Sequence, residues 1–496
     1  MKYLLGIDFG GGSAKATLLS TEGKIVATAD AEYETYHVQS GFCEQKPQDW
    51  LRALSETTEA LFAKSGIDVA DILCVALDSA THTAVLCDED YRPVHDAIHW
   101  TDARAKAESR ELLAKYGERI FALTYHKPDT IWTMPQILWI KNHEPEVFAR
   151  IKHIFFEKDY IRYALTGTYQ TDGIEAVGSM LYDCVKGEFS KELCSMIGIT
   201  PDMLPPLCKP TDIIGAVTRE GALLSHLREG TPVICGTTDT VMEVFASGAV
   251  HEGDMTVKLA TAGRICVITD RPYPDRDLVT YPHVVDGLWY PGSATKAAAS
   301  SLRWYRDTFG GKYNELDAAA AEVPIGADGL IFHPYLNGEL TPYADPTLCA
   351  DFIGVRSGHT KAHFTRSVLE GVALSLLHCK EKLISLGIKV GDHATLIGGG
   401  AQSPLWASIV SDCLGISLSV MECSDSSFGS AMLAGVAIGI FDDFADAASK
   451  CVHKKSEIHP NMDNHKKYAE LFCDYVALHD ALAPFYHARE ARKTEK

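Results

Sequence analysis

The stretch Tyr3-Leu4-Leu5-Gly6-Ile7-Asp8-Phe9-Gly10-Gly11-Gly12-Ser13-Ala14-Lys15-Ala16-Thr17-Leu18-Leu19 decides the fold. Residues 3 to 8 have the apolar run of a short buried strand, and Ala14 to Leu19 alternate again after the glycines. Thr21-Glu22-Gly23 makes a further turn, and Ile25 to Ala29 has the pattern of a third strand. Strand, glycine turn, strand is a hairpin, unlike the strand-to-helix turn of a dinucleotide site. Three successive glycines let backbone approach a ligand closely and aim several N–H groups at one point. Ser13 adds a hydroxyl and Lys15 a positive charge. Asp8, at the strand end, is placed to hold a hydrated Mg²⁺ beside phosphates. The competing reading of the same residues is a plain glycine-rich turn.

About half a chain later the pattern returns. Met255 to Leu259 is strand-like, Ala260-Thr261-Ala262-Gly263 is a turn of small residues, and Arg264 to Ile268 is strand-like again. Two hairpins, each opening a long α/β segment, predict a duplicated two-domain α/β chain divided into residues 1–246 and 247–496. Small residues at the second turn again permit close approach, and Thr261 offers a hydroxyl. Two such turns could grip one triphosphate from both sides.

The chain has 496 residues, which suits about two domains. Hydrophobic residues make up 46% and charged residues 23%, the balance of a globular protein. A formal net charge of −20 argues against nucleic acid or an anionic membrane as main partner. The 14 cysteines show no C-x-x-C spacing and several sit in apolar runs, which predicts reduced core thiols rather than a disulfide framework. The opening apolar run is short and broken by Asp8, and no stretch reaches the ~18 apolar residues of a membrane span, so a cytoplasmic protein is expected.

Other segments offer candidate chemistry. Val233-Ile234-Cys235 reads as a short strand leading through Gly236-Thr237-Thr238 to Asp239, with a helix-like run from Thr240 to Ala246. A carboxylate at a strand end can take a proton from an attacking hydroxyl, and the alternative role for Asp239 is helix N-cap. His82 lies in a loop between the strand-like runs Ile72–Leu77 and Thr83–Leu86, where a neutral imidazole could bind a sugar hydroxyl. Trp100-Thr101-Asp102-Ala103-Arg104 joins a flat apolar face to a carboxylate and a guanidinium; otherwise Thr101 or Asp102 would cap the helix-like run from Ala103. Gly398-Gly399-Gly400 follows another strand, and Ser403-Pro404 is a strong helix start. The small residues from Gly429 to Gly439 predict a helix in close packing. The more polar stretch after about residue 441 is expected to pack as a helix on the second domain. Neither G-x-x-x-x-G-K-[ST] nor a strand-to-helix G-x-G-x-x-G occurs.

Over residues 3 to 445 these pieces stand in the order of the FGGY carbohydrate kinases, and the xylulokinase-like branch fits best. Gly6 to Lys15 resembles the family's first phosphate loop. Gly41-Phe42-Cys43-Glu44-Gln45, with Pro47 and Trp50, is similar to its Gly-aromatic-x-Glu-Gln segment. His82 to Asp88 and Trp100 to Arg104 resemble its sugar-binding segments, and Lys158 to Gly167 its Lys-Asp-Tyr…Leu-Thr-Gly. Gly236 to Thr240 resembles the segment that carries the catalytic aspartate. Leu330 to Glu339, with Thr341-Pro342, and Gly398 to Ser403 resemble two motifs of its second half.

The resemblance implies an actin-like, ribonuclease H-like fold of two domains with a central ATP and sugar cleft. It implies MgATP as phosphate donor and a small sugar or polyol as acceptor. Asp239 is then the catalytic base, and Thr81, His82, Trp100, Asp102 and Asp239 bind the sugar. Gly10, Gly11, Gly12, Ser13, Lys15, Thr261, Gly263, Gly399, Gly400 and Ser403 bind ATP, and Asp8 holds the metal. A homodimer is common where this resemblance holds. The expected substrate is a ketopentose such as xylulose; ribulose, a pentitol, a tetritol or gluconate are the alternatives within the class, and a non-catalytic ATP-dependent sugar sensor lies outside it. Thr81-His82-Thr83 stands where the family has Met-His-Gly, Thr101 where it has Asn, Ala260-Thr261-Ala262-Gly263 where it has Gly-Thr-Ser-Gly, and Leu340 where it has Arg. The Arg-Glu pair of the glycerol kinase branch does not occur near His82.

Overall fold

The structure is a computed structural model that describes residues 1–494. The elements that carry the site begin with β1 (Tyr3–Phe9), β2 (Ser13–Ser20), β3 (Ile25–Glu32), β4 (Glu44–Gln45) and α1 (Pro47–Ser65). Then come β5 (Ile72–Ser79), β6 (Ala84–Cys87), β7 (Ala97–Ile98), α2 (Lys106–Thr124), α3 (Thr133–His143), β8 (His153–Phe156), α4 (Glu157–Thr166) and α5 (Gly173–Gly178). Next are β9 (Ile213–Ala216), β10 (Pro232–Ile234), β11 (Thr237–Thr238) and α6 (Asp239–Ala246). The second half supplies β12 (Met255–Leu259), β13 (Gly263–Val267), β14 (Gly292–Thr295), α7 (Lys361–Ser385), β15 (His393–Ile397) and α8 (Pro404–Leu414). The chain ends with β16 (Ser417–Met421), α9 (Ser426–Ala437), β17 (Lys454–Ile458) and α10 (Met462–Thr494).

Two compact units form, and each draws on more than one stretch of the chain. One comprises Met1–Val250, Tyr281–Gly287 and Cys423–Val452; the other comprises His251–Thr280, Leu288–Glu422 and His453–Lys496. The chain therefore returns to the first unit with α9 and the turn after it. Of the polar stretch after residue 441, only the part from His453 belongs to the second unit.

In the first unit the sheet runs β3-β2-β1-β5-β10-β9, with β11 also on β5. β1 pairs antiparallel with β2 and parallel with β5; β10 and β11 run parallel to β5, and β9 is antiparallel to β10. Leu5, Ile7, Phe9, Leu18, Val75 and Leu77 are buried in its core beside Trp50, Leu54 and Leu61 of α1. α1 starts on Pro47 and stops at Gly66, whose left-handed backbone (φ 63°) returns its N–H to the Phe62 carbonyl. A second, four-stranded sheet, β4-β7-β6-β8, carries the loops around His82 and His99.

The second unit repeats the pattern. Its sheet runs β14-β13-β12-β15-β16-β17 with antiparallel, antiparallel, parallel, parallel and antiparallel pairings, the same succession as β3-β2-β1-β5-β10-β9. The duplication inferred from two hairpins thus extends to whole sheets. α7 and α8 pack on this sheet through Leu369, Val372, Leu376, Trp406 and Val410, and α10 adds Tyr468 and Tyr475 to the same core. Most of the 14 cysteines are buried. No helix among the described residues is long and apolar enough to cross a membrane.

Candidate functional site

Parallel pairing brings three acids to neighbouring strand ends in the first unit. Asp8 pairs with Asp78 between β1 and β5, and Thr237 pairs with Asp78 between β11 and β5, so Asp239 begins α6 just beyond. The chain reaches this place through Gly236, whose φ of 70° and absent side chain are both needed, since a Cβ there would fall 1.9 Å from the Leu77 carbonyl oxygen. Asp239 is not the N-cap of α6; Thr238 holds that position. The Asp239 Oδ1 accepts from the Thr240 N–H at 2.5 Å and from its hydroxyl at 3.1 Å.

A buried ionic network holds this loop. Lys158 Nζ lies 2.6 Å from Asp159 and 3.0 Å from Asp172, and Arg162 lies 2.7 Å from Asp159, with all four side chains fully buried. Arg162 also donates to the Cys235 carbonyl at 2.7 Å, and Asp172 accepts from the Thr237 hydroxyl at 2.9 Å while capping α5. Both contacts land on the segment that delivers Asp239. The Lys158-Asp159 pair therefore braces the segment that carries Asp239.

Burial pushes the carboxyl groups of Asp8 and Asp78 up, and the neighbouring charge of Asp8 raises that of Asp78 further. The Ser430 hydroxyl donates to Asp78. Glu157 and Glu175 are fully buried, and burial together with neighbouring acids, Asp239 among them, raises both well above the ordinary range. Asp8 Oδ1 is buried and without a hydrogen-bond partner among the described residues. No three His, Cys, Asp or Glu side chains among the described residues gather as a metal cage. Asp78 Oδ1 and both carboxylate oxygens of Glu157 and Glu175 are likewise buried without a partner among the described residues, and the bare Asp8 oxygen amid this excess of acids fits a Mg²⁺ that keeps most of its water.

The Gly10–Gly12 loop is turned for anions. The carbonyl of Gly10 accepts from the Tyr33 hydroxyl, that of Gly11 from Thr35 Oγ1 (3.0 Å) and Gln45 Nε2 (3.1 Å), and that of Gly12 from the Tyr33 N–H (3.0 Å). The N–H groups of Gly11 and Gly12 find no acceptor among the described residues. A methyl at Gly10, Gly11 or Gly12 would meet nothing closer than 3.8 Å, and none of the three has a positive φ. Folding alone thus gives no reason for three glycines here; a ligand lying on the backbone does. Ser13 opens β2, and the Lys15 ammonium is paired with Asp425 at 2.5 Å.

The second loop has the same polarity. Its carbonyls accept from Ala299 N–H (on Ala260, 2.7 Å), Ala298 N–H (on Thr261, 3.0 Å) and Ala260 N–H (on Ala262, 3.2 Å). The N–H groups of Thr261 and Ala262 find no acceptor among the described residues. The Thr261 hydroxyl accepts from Arg303 at 3.1 Å. Gly263 and Gly400 are explained by packing, since a Cβ at either would fall 2.8 Å from a neighbouring side chain. Gly399 faces open space. Ser403 caps α8, accepting the Trp406 N–H at 3.1 Å.

Two sugar-segment side chains are engaged by the protein itself. His82 Nδ1 meets the Gly178 carbonyl at 3.0 Å, and its Nε2 meets the Tyr281 hydroxyl at 3.2 Å. Burial lowers its pKa to about 4, and Trp132 packs on its ring. Asp102 accepts from the Cys43 N–H (2.5 Å), the Arg104 N–H (2.7 Å) and the Arg104 guanidinium (2.9 and 3.0 Å). Neither Thr101 nor Asp102 caps a helix, because α2 starts only at Lys106. Thr81 is half-buried in the turn before His82, and Trp100 is exposed. Asp78, Glu157 and Glu175 were missed by sequence reasoning. Asp78 carried the same signal as Asp8 and Asp239, a carboxylate ending an apolar strand.

Duplicated sheets of this order, with acids at the strand ends and an N–H-lined hairpin in each unit, define an actin-like phosphotransferase. The chain matches the N-terminal domain of the FGGY family of carbohydrate kinases over residues 3–246 and the C-terminal domain over residues 256–438. It is 30% identical over 480 residues to a xylulose kinase of Bacillus subtilis and 31% identical over 478 residues to one of Lactococcus lactis, covering 95% of each chain in both cases. The crystal structure of xylulose kinase from Rhodospirillum rubrum superposes with a TM-score of 0.90 at 29% identity, over 98% of this chain and 100% of the other. The chain belongs to the FGGY family of carbohydrate kinases. It is an ATP-dependent sugar phosphotransferase.

Proposed function

We propose that this kinase transfers the γ-phosphoryl group of ATP to a primary hydroxyl of a ketopentose, xylulose first among them. The observation that carries the reading is Asp239, delivered to the strand ends beside Asp8 by a rigid ionic network and next to a loop with free N–H donors. Relatives named xylulose kinase, 30 and 31% identical over 95% of the chain, support the sugar.

In this mechanism the N–H groups of Gly11 and Gly12, with the Ser13 hydroxyl, are the phosphate donors of the first unit's hairpin, and the N–H groups of Thr261 and Ala262, with the Thr261 hydroxyl, are those of the second unit's hairpin. Gly399 gives the adenosine an open surface; Gly263, Gly400 and Ser403 shape that region. Asp8 would hold a hydrated Mg²⁺, which when bound would supply positive charge against that of the phosphates. Asp239 accepts the proton of the acceptor hydroxyl as the hydroxyl attacks. Thr81 and Trp100 line the acceptor's place, with His82 and Asp102 fixing the walls. Excluding water keeps the phosphoryl group from hydrolysis.

An ADP-release assay across ketopentoses, pentitols, tetritols and aldonates tests the reading, with xylulose expected to give the highest kcat/KM. A higher value for gluconate or a pentitol would refute the ketopentose assignment. Asp239→Asn is expected to lower kcat by ~10²-fold or more while ATP still binds. Near-normal turnover of that variant would remove Asp239 as the base.

A further inference from the structure

His99 lies just beyond β7 and is 4% exposed, with its backbone fixed by hydrogen bonds to the Cys43 carbonyl and from the Asp102 N–H (both 2.9 Å). Its Nδ1 is surrounded by protein: the Thr101 hydroxyl at 2.8 Å, the Thr101 N–H at 3.4 Å and Cys43 Sγ at 3.6 Å. The Thr101 N–H can only donate, which assigns Nδ1 as the acceptor and the ring proton to Nε2, while the Thr101 hydroxyl also donates to Cys43 Sγ at 3.1 Å. That Nε2 is buried and has no hydrogen-bond partner among the described residues. An unpaired buried donor is costly to the fold, a cost that a bound acceptor would remove. The ring faces the Gly10–Gly12 loop: a methyl added to Gly11 would lie 3.8 Å from Nε2 and 3.9 Å from Cε1. Burial lowers the pKa of His99 to about 4, so the imidazole is neutral at pH 7. Neither the sugar segments nor the phosphate loop as read from sequence assigns this side chain a role.

We propose that His99 donates its Nε2–H to an oxygen of the bound substrates at the edge of the Gly10–Gly12 loop. It rests on the reading of that loop as the phosphate site. The acceptor is an oxygen in either case, borne by the transferring phosphoryl group or by the sugar. The Cys43 and Thr101 contacts to Nδ1 set the tautomer, so they position the donor without touching the ligand.

The test compares His99→Phe, which keeps a ring without the donor, with His99→Gln, whose amide can donate from a similar reach. His99→Phe is expected to lower kcat/KM by ~10- to 100-fold with the unfolding midpoint kept, and His99→Gln to recover most of it. If the partner is a phosphoryl oxygen, sugar-independent ATP hydrolysis falls alongside and the sugar KM stays put. If the partner is a sugar oxygen, the sugar KM rises and that hydrolysis is unchanged. Wild-type kinetics in His99→Phe, or equal losses in both variants with a lowered unfolding midpoint, would overturn the proposal. A readout independent of turnover is the ¹⁵N chemical shift of His99 Nε2 in wild-type protein titrated with MgATP and with each sugar of the panel. No movement with any of them would also overturn it. A moving shift in a protein inactive on every sugar would instead sink the substrate assignment and leave the contact standing.

Discussion

Gly11 and Gly6 sit five residues apart and are glycines for opposite reasons. At Gly11 a methyl would find room, and the backbone is not in the left-handed region. At Gly6 a Cβ would fall 2.0 Å from the Ser427 carbonyl oxygen and 2.3 Å from the Ala431 nitrogen, because α9 lies directly on β1. Gly11→Ala should therefore leave stability within about 1 kcal/mol of wild type while raising the KM for ATP ~10-fold or more. Urea unfolding and steady-state kinetics on one sample check both halves. The imidazole of His82 supplies a prediction in pH. Its folded pKa, about 4, lies below the ordinary 6.5, so the unfolded chain binds the proton first as pH falls. The stability owed to the neutral, hydrogen-bonded ring is complete above pH 6.5 and is lost as pH drops toward 4. The stability gap between wild type and His82→Gln should accordingly narrow between pH 7 and pH 4.5 in denaturant titrations. A gap that widened would contradict the buried neutral ring.

Among the elements, α9 shows what a run of small residues is for. It packs against β1, β5 and α6, and it places the Ser427 hydroxyl 2.8 Å from Thr17 and the Ser430 hydroxyl on Asp78. Gly429 lets it approach α6 so closely that a Cβ would fall 2.3 Å from the Met242 carbonyl oxygen. Gly429→Ala should destabilise by ~1–3 kcal/mol through forced separation of two backbones, read as a lower urea midpoint at unchanged slope. Since α6 begins with Asp239, kcat should fall too, more than the KM for ATP changes. Helix starts and hairpins could be read locally: Ser403-Pro404 opens α8 as its residue types demand, and both glycine hairpins formed where the alternation broke. The onset of α2 could not be read, since Asp102 spends its carboxylate on Arg104 and Cys43, a partner 59 residues away.

For the whole molecule, the first unit is completed by a segment, Cys423–Val452, that begins 136 residues after Gly287, the end of the rest of that unit (423 − 287). Ala431, Met432, Leu433 and Ala434 of α9 are fully buried there. A fragment of residues 1–250 is expected to show no cooperative urea transition, because the face of β1 and β5 under α9 would be exposed. Joining Cys423–Val452 to it through a flexible linker should restore one. Cooperative unfolding of the bare fragment would refute this account of the unit.

The sequence by itself determined the two hairpins, their duplication, the strand-end acids Asp8 and Asp239, and through the order of its motifs the kinase family. These are local facts, since alternation, glycine and a terminal carboxylate act within a few residues. Only the tertiary structure decided that Asp78 joins the two acids, that Lys158 and Arg162 brace the Asp239 loop, and that His82 and Asp102 are consumed internally while His99 is not. Those outcomes depend on strand register and on which distant donor reaches which acceptor, and neither is encoded by spacing along the chain.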